Sequence, residues 1–244
     1  MRQKIIDKRR DPMGWAIYDY YYKGKAAKLK VISEDFEDDY IPVSELFRGF
    51  EQMTLIEKEA LRLAEGAILD VGAGSGCHSL ALKEMGKDSL AIDISPLAVE
   101  VMEDRGLNVR MVDFYDDSIV ATFDTILMLM NGTGIIGGID NMERFFSRLS
   151  KLLNPSGILY IDSSDLRYLY EDEDGSFLLN IADKYYGEME YKMKYKNIEG
   201  DWFDWLYIDI GTFSYYATKY GYNVELVVEG EHYDYLAKVI RAGE

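Results

Sequence analysis

The chain has 244 residues, 48% of them apolar and 29% charged, with a formal charge of −17. This is the composition of an ordinary soluble globular protein able to bury one substantial core, and no apolar run is long enough for a membrane-spanning helix. The acidic balance opposes the basic surface that nucleic-acid binding draws on, while one cysteine, Cys77, and two histidines exclude an internal disulfide and argue against zinc.

The opening MRQKIIDKRRDP is basic but lacks the apolar region and cleavage site of a secretory leader, so a reducing cytoplasm is expected. Residues 2–10 and Lys23 to Lys30 are the most basic stretches. Both are short and bordered by acids such as EDFEDD at 34–39, which lacks calcium-loop spacing and reads as a solvated flank. Residues 1–64 read as a helical, amphipathic cap ending in LFRGFEQMTLIEKEALRLAEG, with Gly66 as a stop. From 66 to 165 strands and helices alternate. AILDVG at 67–72, SLAIDI at 89–94, NVRMVD at 108–113, FDTILMLMN at 123–131 and GILYID at 157–162 read as strands. HSLALKEMG, PLAVEVMEDRG and NMERFFSRLSKLL read as the helices between them. Such alternation predicts a mostly parallel sheet with right-handed crossovers and helices on both faces.

Residues 166–207 break the rhythm. Met189, Tyr191, Met193 and Tyr195 alternate with charged residues, which predicts a half-buried antiparallel strand paired with WFDWLYI at 202–208. This inserted β-hairpin would form a lid. Residues 208–244 predict a helix near 211–220, then NVELVV, an EGEH turn and YDYLAKVI, a connection short enough only for antiparallel strands. Neither a repeat nor a linker divides the chain, so 1–244 reads as one domain.

The most informative stretch is LDVGAGSG at 69–76. An apolar strand delivers Asp70, then Gly72, Gly74 and Gly76 around Ala73, and a helix follows. Glycines let the chain turn sharply and admit a ligand against the main chain, and the helix start presents free N–H groups to an anion. A dinucleotide fingerprint G-x-G-x-x-G beginning at Gly72 needs glycine at position 77, where Cys77 stands. An acid two residues ahead of G-x-G-x-G instead resembles motif I of the Rossmann-like S-adenosylmethionine-dependent methyltransferases. The likeness continues in motif order through AIDISPLAV, the Asp113 segment, FDTILMLMN and LNPSGILYID, covering roughly 67–165.

That resemblance implies a seven-stranded sheet whose last strand is antiparallel, S-adenosylmethionine as cofactor, and in-line methyl transfer to an acceptor. It implies that Asp93 accepts the ribose hydroxyls, with Ile94 on the adenine face. Asp113 would accept the adenine amine with Phe114 beside the ring, and Asp70 with the Gly72–Gly76 backbone would hold the methionine end. A turn or helix-start acid is the alternative for Asp93 and Asp113. Asn131, in MLMNGTG, lacks the prolines and aromatic of base-amine methylating members, and either lines the cleft or turns the strand end. Arg48 is a candidate partner for the methionine carboxylate, with an exposed or salt-bridged arginine as the alternative.

A general base is needed only if the acceptor carries a proton. His78, His232 and Asp165 all fall on the side of the strands' carboxyl ends, as does Asp162. Packing, capping and surface turns are their alternative roles. Tyr18, Tyr20, Tyr21, Tyr22, Tyr185, Tyr186, Trp202, Phe203 and Trp205 would cover the cleft or form an apolar seam. The expected acceptor is a small molecule chosen by residues 1–64 and 166–207. A protein or RNA methyltransferase, a nicotinamide oxidoreductase and a non-catalytic cofactor-binding protein are the rivals.

Overall fold

The computed structural model describes residues 5–34, 36–170 and 184–243. Its first helix, α1 (Pro12–Lys23), has proline in its first turn, the Asp11 carboxylate accepting from Gly14 N at 2.8 Å, and Gly24 left-handed at its end. Two short strands follow, β1 (Leu29–Ser33) and β2 (Asp39–Ile41). They correct the expectation that residues 1–64 are helical throughout. Val31 and Ile32 favour extended chain, and antiparallel pairing on a distant strand supplies the hydrogen bonds that LKVIS cannot make locally. Helix α2 (Leu55–Leu63) begins in a reciprocal cap between Thr54 and Glu57.

The alternating half then runs β3 (Ile68–Val71), α3 (Cys77–Glu84), β4 (Ser89–Asp93), α4 (Pro96–Asp104), β5 (Val109–Met111), β6 (Phe123–Met128), α5 (Met142–Leu152) and β7 (Leu153–Ser164). Every residue of β3 is buried, as a strand covered on both faces requires. Beyond it come β8 (Glu188–Tyr195), β9 (Ile198–Glu199), β10 (Phe203–Leu206), α6 (Ile210–Lys219), β11 (Tyr222–Glu229) and β12 (Asp234–Arg241). The main sheet has the order β11-β12-β7-β6-β3-β4-β5. Strands β3 to β7 are parallel; β12 is antiparallel to β11, as the short EGEH turn predicts, and to β7, as the resemblance implies. Phe145, Phe146, Leu149 and Leu152 of α5 pack with Phe213 and Ala217 of α6 to form one apolar layer over the sheet. Helices α2 and α3, through Ala60, Leu61, Ala81 and Leu82, belong to another.

A second sheet, β10-β8-β1-β2 with β9 on β8, joins the N-terminal segment to the insertion. The expected hairpin of 188–195 with 202–208 is present as β8 and β10, and it buries Met189 and Tyr195 of β8 and Leu206 of β10. This sheet rests on the loops that leave the carboxyl ends of the main strands. Thr133 Oγ1 donates to Leu206 O at 2.9 Å, Ile208 N donates to Ser163 Oγ at 2.9 Å, and Gly134 lies hard against the Trp205 indole. Residues 171–183 of the expected lid and 2–4 of the basic stretch lie outside the described residues. Among the described residues no helix is long and apolar enough to cross a membrane.

Candidate cofactor and acceptor site

The glycine loop links β3 to α3 and is fastened on three sides. Gly72 N and Ala73 N both donate to Ile92 O, at 2.9 and 3.1 Å, which locks the loop to the end of β4. Ser75 Oγ donates to Leu46 O, and Arg105, at the C-terminal end of α4, donates to Ser75 O. Gly74 N donates to Asp93 Oδ2 at 2.8 Å. Gly74 has a φ of +57°, and a Cβ built there would meet nothing, so the main chain faces open space. Gly76, with φ of +81°, starts α3 where a Cβ would strike Leu107 and Met102. Asp70 is buried beneath the loop and accepts from Ser79 Oγ at 2.7 Å.

Two further acids stand at neighbouring strand ends. The other oxygen of Asp93 accepts from Ser95 N at 2.8 Å. Burial pushes Asp93 up to about 6, against the main-chain bonds from Ser95 and Gly74 that favour its ionised form, while Asp11 nearby pushes it further. Ile94, partly exposed, accepts from Ile6 N through its carbonyl at 3.0 Å, so the N-terminal segment crosses the same strand end. Asp113 lies two residues past β5. Its Oδ1 accepts from Tyr115 N at 2.8 Å, and its Oδ2 is buried with no partner. Burial raises this carboxyl too. The Phe114 ring packs into the core against Tyr115 and Phe145, so what Phe114 offers the strand end is main chain.

The loop after β6 carries two consecutive left-handed residues, Met130 (φ +67°) and Asn131 (φ +60°). Such a pair of non-glycine residues is strained, and Asp162 holds it, accepting from Met130 N at 3.0 Å and Gly132 N at 2.8 Å. Burial raises Asp162 to about 6. Asn131 Oδ1 accepts from Ser164 Oγ at 2.9 Å, the turn role considered for it.

Arg48 pairs with the buried Glu57, whose Oε1 also lies 2.7 Å from His78 Nε2. Burial disfavours charge on both partners of this pair, yet their contact outweighs it: Glu57 is held at about 2 and His78 is raised. Glu57 is absent from the residues singled out by sequence, although the spacing Thr54-x-x-Glu57 is legible as a capping box. His232 is exposed in the turn between β11 and β12, where its N–H donates to Asp234 at 2.9 Å. Asp165 accepts from Tyr186 Oη at 2.7 Å and pairs with Arg167 at 3.1 Å. Tyr185 Oη donates to Asp209, the cap of α6, at 2.7 Å, so an unforeseen tyrosine–aspartate cluster joins the insertion to the main sheet. Tyr20 and Tyr21 of α1 face Phe47, with centroids 4.8 and 6.4 Å away.

The structure thus brings Asp70, the glycine loop, Asp93 and Asp113 along one row of strand ends, with Arg48 and His78 at the first turn of α3. Asn131, Asp162 and Asp165 follow β6 and β7, and His232 is the most peripheral.

Known proteins resemble this chain in sequence and in fold. A family model described as "Methyltransferase domain" matches residues 69–161. The cypemycin N-terminal methyltransferase of a Streptomyces species is 28% identical over 102 residues, which are 40% of this chain and 42% of that enzyme. The chain thus spans about two fifths of the length of the curated relatives it matches. The CcbJ methyltransferase of Streptomyces caelestis, 12% identical, shares the fold, with a TM-score of 0.61 over 98% of this chain and 100% of that one. Far more similar is a crystal structure of an S-adenosylmethionine-dependent methyltransferase from Bacteroides fragilis in complex with S-adenosyl-L-homocysteine. It is 55% identical over 98% of each chain, with a TM-score of 0.94. The chain belongs to the S-adenosylmethionine-dependent methyltransferases.

Proposed function

We propose that this protein transfers a methyl group from S-adenosylmethionine to a small-molecule acceptor, with the cofactor lying along the ends of β3, β4 and β5. The observation that carries the cofactor placement is the buried, unpartnered Asp113 Oδ2 in line with the Asp93–Gly74 clasp. A buried acceptor atom without a donor is costly, and the exocyclic amine of adenine supplies one. Each Asp93 oxygen keeps a lone pair beyond its main-chain bond, which suits two ribose hydroxyls. Gly74 leaves the space that a ligand against the main chain needs. Asp70 and the loop from Gly72 to Gly76, with Ala73, would hold the amino-acid end, with Arg48 nearby; Ile94 would face the adenine, and Phe114 would contribute main chain.

Bound there, the cofactor supplies an activated methyl group on a sulfonium, so the protein's work is chiefly alignment and exclusion of water. The strained Met130–Asn131 turn, fixed by Asp162, would form one wall of the acceptor space. The β8–β10 hairpin with Tyr185, Tyr186 and Trp205 would roof it. His78 is committed to Glu57 and Asp165 to Tyr186 and Arg167. We therefore assign neither as a free general base, and His232 would need movement of its turn to reach the cleft. The covered strand ends and the charge of −17 favour a small acceptor over nucleic acid. The lone, buried Cys77 suits a reducing, cytoplasmic setting. A peptide amine is the second reading, favoured by the name of the cypemycin N-terminal methyltransferase.

Calorimetry with S-adenosylmethionine, S-adenosylhomocysteine and NAD tests the cofactor assignment, and preference for NAD would reverse it. A metabolite screen for methyl uptake, with short peptides as a separate arm, tests the acceptor class. Uptake by peptides alone would replace the first reading with the second.

A further inference from the structure

Arg48, Glu57 and His78 come from three elements and meet at one point. Arg48 follows the short turn at 43–47, Glu57 lies on the buried side of α2, and His78 is the second residue of α3. Oε2 of Glu57 accepts from Thr54 N at 2.9 Å and Thr54 Oγ1 at 3.0 Å, which accounts for the helix cap. Oε1 has no part in capping. It is shared between the Arg48 guanidinium and His78 Nε2.

A cap is normally a surface feature, whereas Glu57 is 2% exposed and His78 4%. Burying such groups is unfavourable unless each is paired in good geometry, so the cluster fixes both partners of the carboxylate in place. Its position gives it a direction. Leu46, two residues before Arg48, takes the hydroxyl of Ser75 in the glycine loop, and His78 sits among the free N–H groups of the first turn of α3.

We propose that Glu57 is a positioning residue for cofactor binding, holding the Arg48 guanidinium and the His78 ring side by side to receive the carboxylate of the cofactor's amino-acid end. The inference rests on the cofactor reading above and extends it to a residue that does not itself touch the ligand. Both oxygens of Glu57 are committed, so its effect passes through Arg48 and His78.

The nucleoside end is held elsewhere, by Asp93 and Asp113, so the two ends of the ligand can be tested separately. 5′-Deoxy-5′-methylthioadenosine keeps the adenosine and the sulfur but lacks the amino-acid portion. Calorimetry on the full chain compares it with S-adenosylhomocysteine. Glu57→Gln is expected to weaken S-adenosylhomocysteine by about tenfold or more and to leave methylthioadenosine within about twofold. Because Glu57 also caps α2, Arg48→Gln is the second variant; it spares the cap and the contact with His78, and should show the same one-sided loss. Equal weakening of both ligands in both variants, or unchanged S-adenosylhomocysteine binding in either, overturns the proposal. A wild-type chain that binds methylthioadenosine but not S-adenosylhomocysteine also overturns it, and one that binds neither overturns the cofactor reading with it.

Discussion

At the scale of single residues, Asp93 carries a consequence that its position alone does not reveal. Burial raises its carboxyl to about 6, so at pH 7 it is ionised with little margin. In the proposed site the ribose hydroxyls would donate to the ionised form, so ligand binding would favour loss of the proton and lower the carboxyl's pKa. Affinity should therefore be constant above pH 7 and fall as pH drops through 6, by up to about tenfold per unit below it. Methylthioadenosine is the appropriate probe, because it lacks the amino and carboxyl groups that titrate in the full cofactor. A flat affinity between pH 7 and 5 would remove Asp93 from the nucleoside site. Asp93→Ala should cost about 1–3 kcal/mol of binding by calorimetry, through lost charge-assisted hydrogen bonds. Gly76 shows a different dependence. With φ at +81° and Leu107 and Met102 where a Cβ would go, Gly76→Ala should lower unfolding free energy by about 1–3 kcal/mol in urea. An unchanged midpoint would mean that α3 can start differently.

At the scale of elements, one buried acid ties α1 to the second sheet. Asp19 on α1 accepts from Tyr195 Oη at 2.9 Å and Lys23 Nζ at 2.5 Å, and pairs with Lys196, binding α1 to the end of β8. Burial opposes its charge, but Lys196, Lys23 and Tyr195 outweigh that and hold it at about 2. The folded value is depressed, so this stabilisation is fully present above the unfolded value near 4 and is lost as pH falls toward 2. Asp19→Asn should cost about 2 kcal/mol at pH 7, since both lysines remain half exposed and screened, and the cost should vanish near pH 2. A cost that persists undiminished at pH 2 would assign it to packing instead. Local pattern reveals this second sheet only in part. The period-2 run at 189–195 is legible because its two faces differ in polarity. Strands β1 and β2 are not, because β1 pairs with β8 from far along the chain and five residues of LKVIS carry no periodicity of their own. The alternating half is legible because β3, β4, β6 and β7 are apolar runs closed by turn residues. In the site, the glycine loop is legible from its spacing and Asp93 from the resemblance, whereas the sharing of Glu57 by Arg48 and His78 and the tyrosine–aspartate cluster exist only once separate elements meet.

At the scale of the whole molecule, the N-terminal segment is bonded to the same strand ends that the proposed cofactor would occupy. Residues 5–11 reach the end of β4 through Ile6 N, and Asp11 receives the Ser95 hydroxyl at 2.6 Å, next to the Ser95 N–H that binds Asp93. The turn at 43–47 reaches the glycine loop through Leu46 O, and Arg48 reaches α3 through Glu57. A ligand seated on β3, β4 and β5 therefore touches groups that the N-terminal segment already holds. A ligand that binds only the folded chain at 100 times its Kd adds about 2.7 kcal/mol to unfolding free energy. If cover and row are coupled, that energy should not be confined to the strands. Hydrogen exchange with and without S-adenosylhomocysteine should show added protection in 5–24 and 43–50 together with 70–78 and 92–98. Residues 222–229, on the far edge strand β11, should change only as global unfolding slows. Protection confined to 70–78 and 92–98 would show that the N-terminal segment packs on the row without closing it. The interactions of Asp11, Leu46 and Arg48 would then be structural alone, and selection of the acceptor would fall to the β8–β10 hairpin.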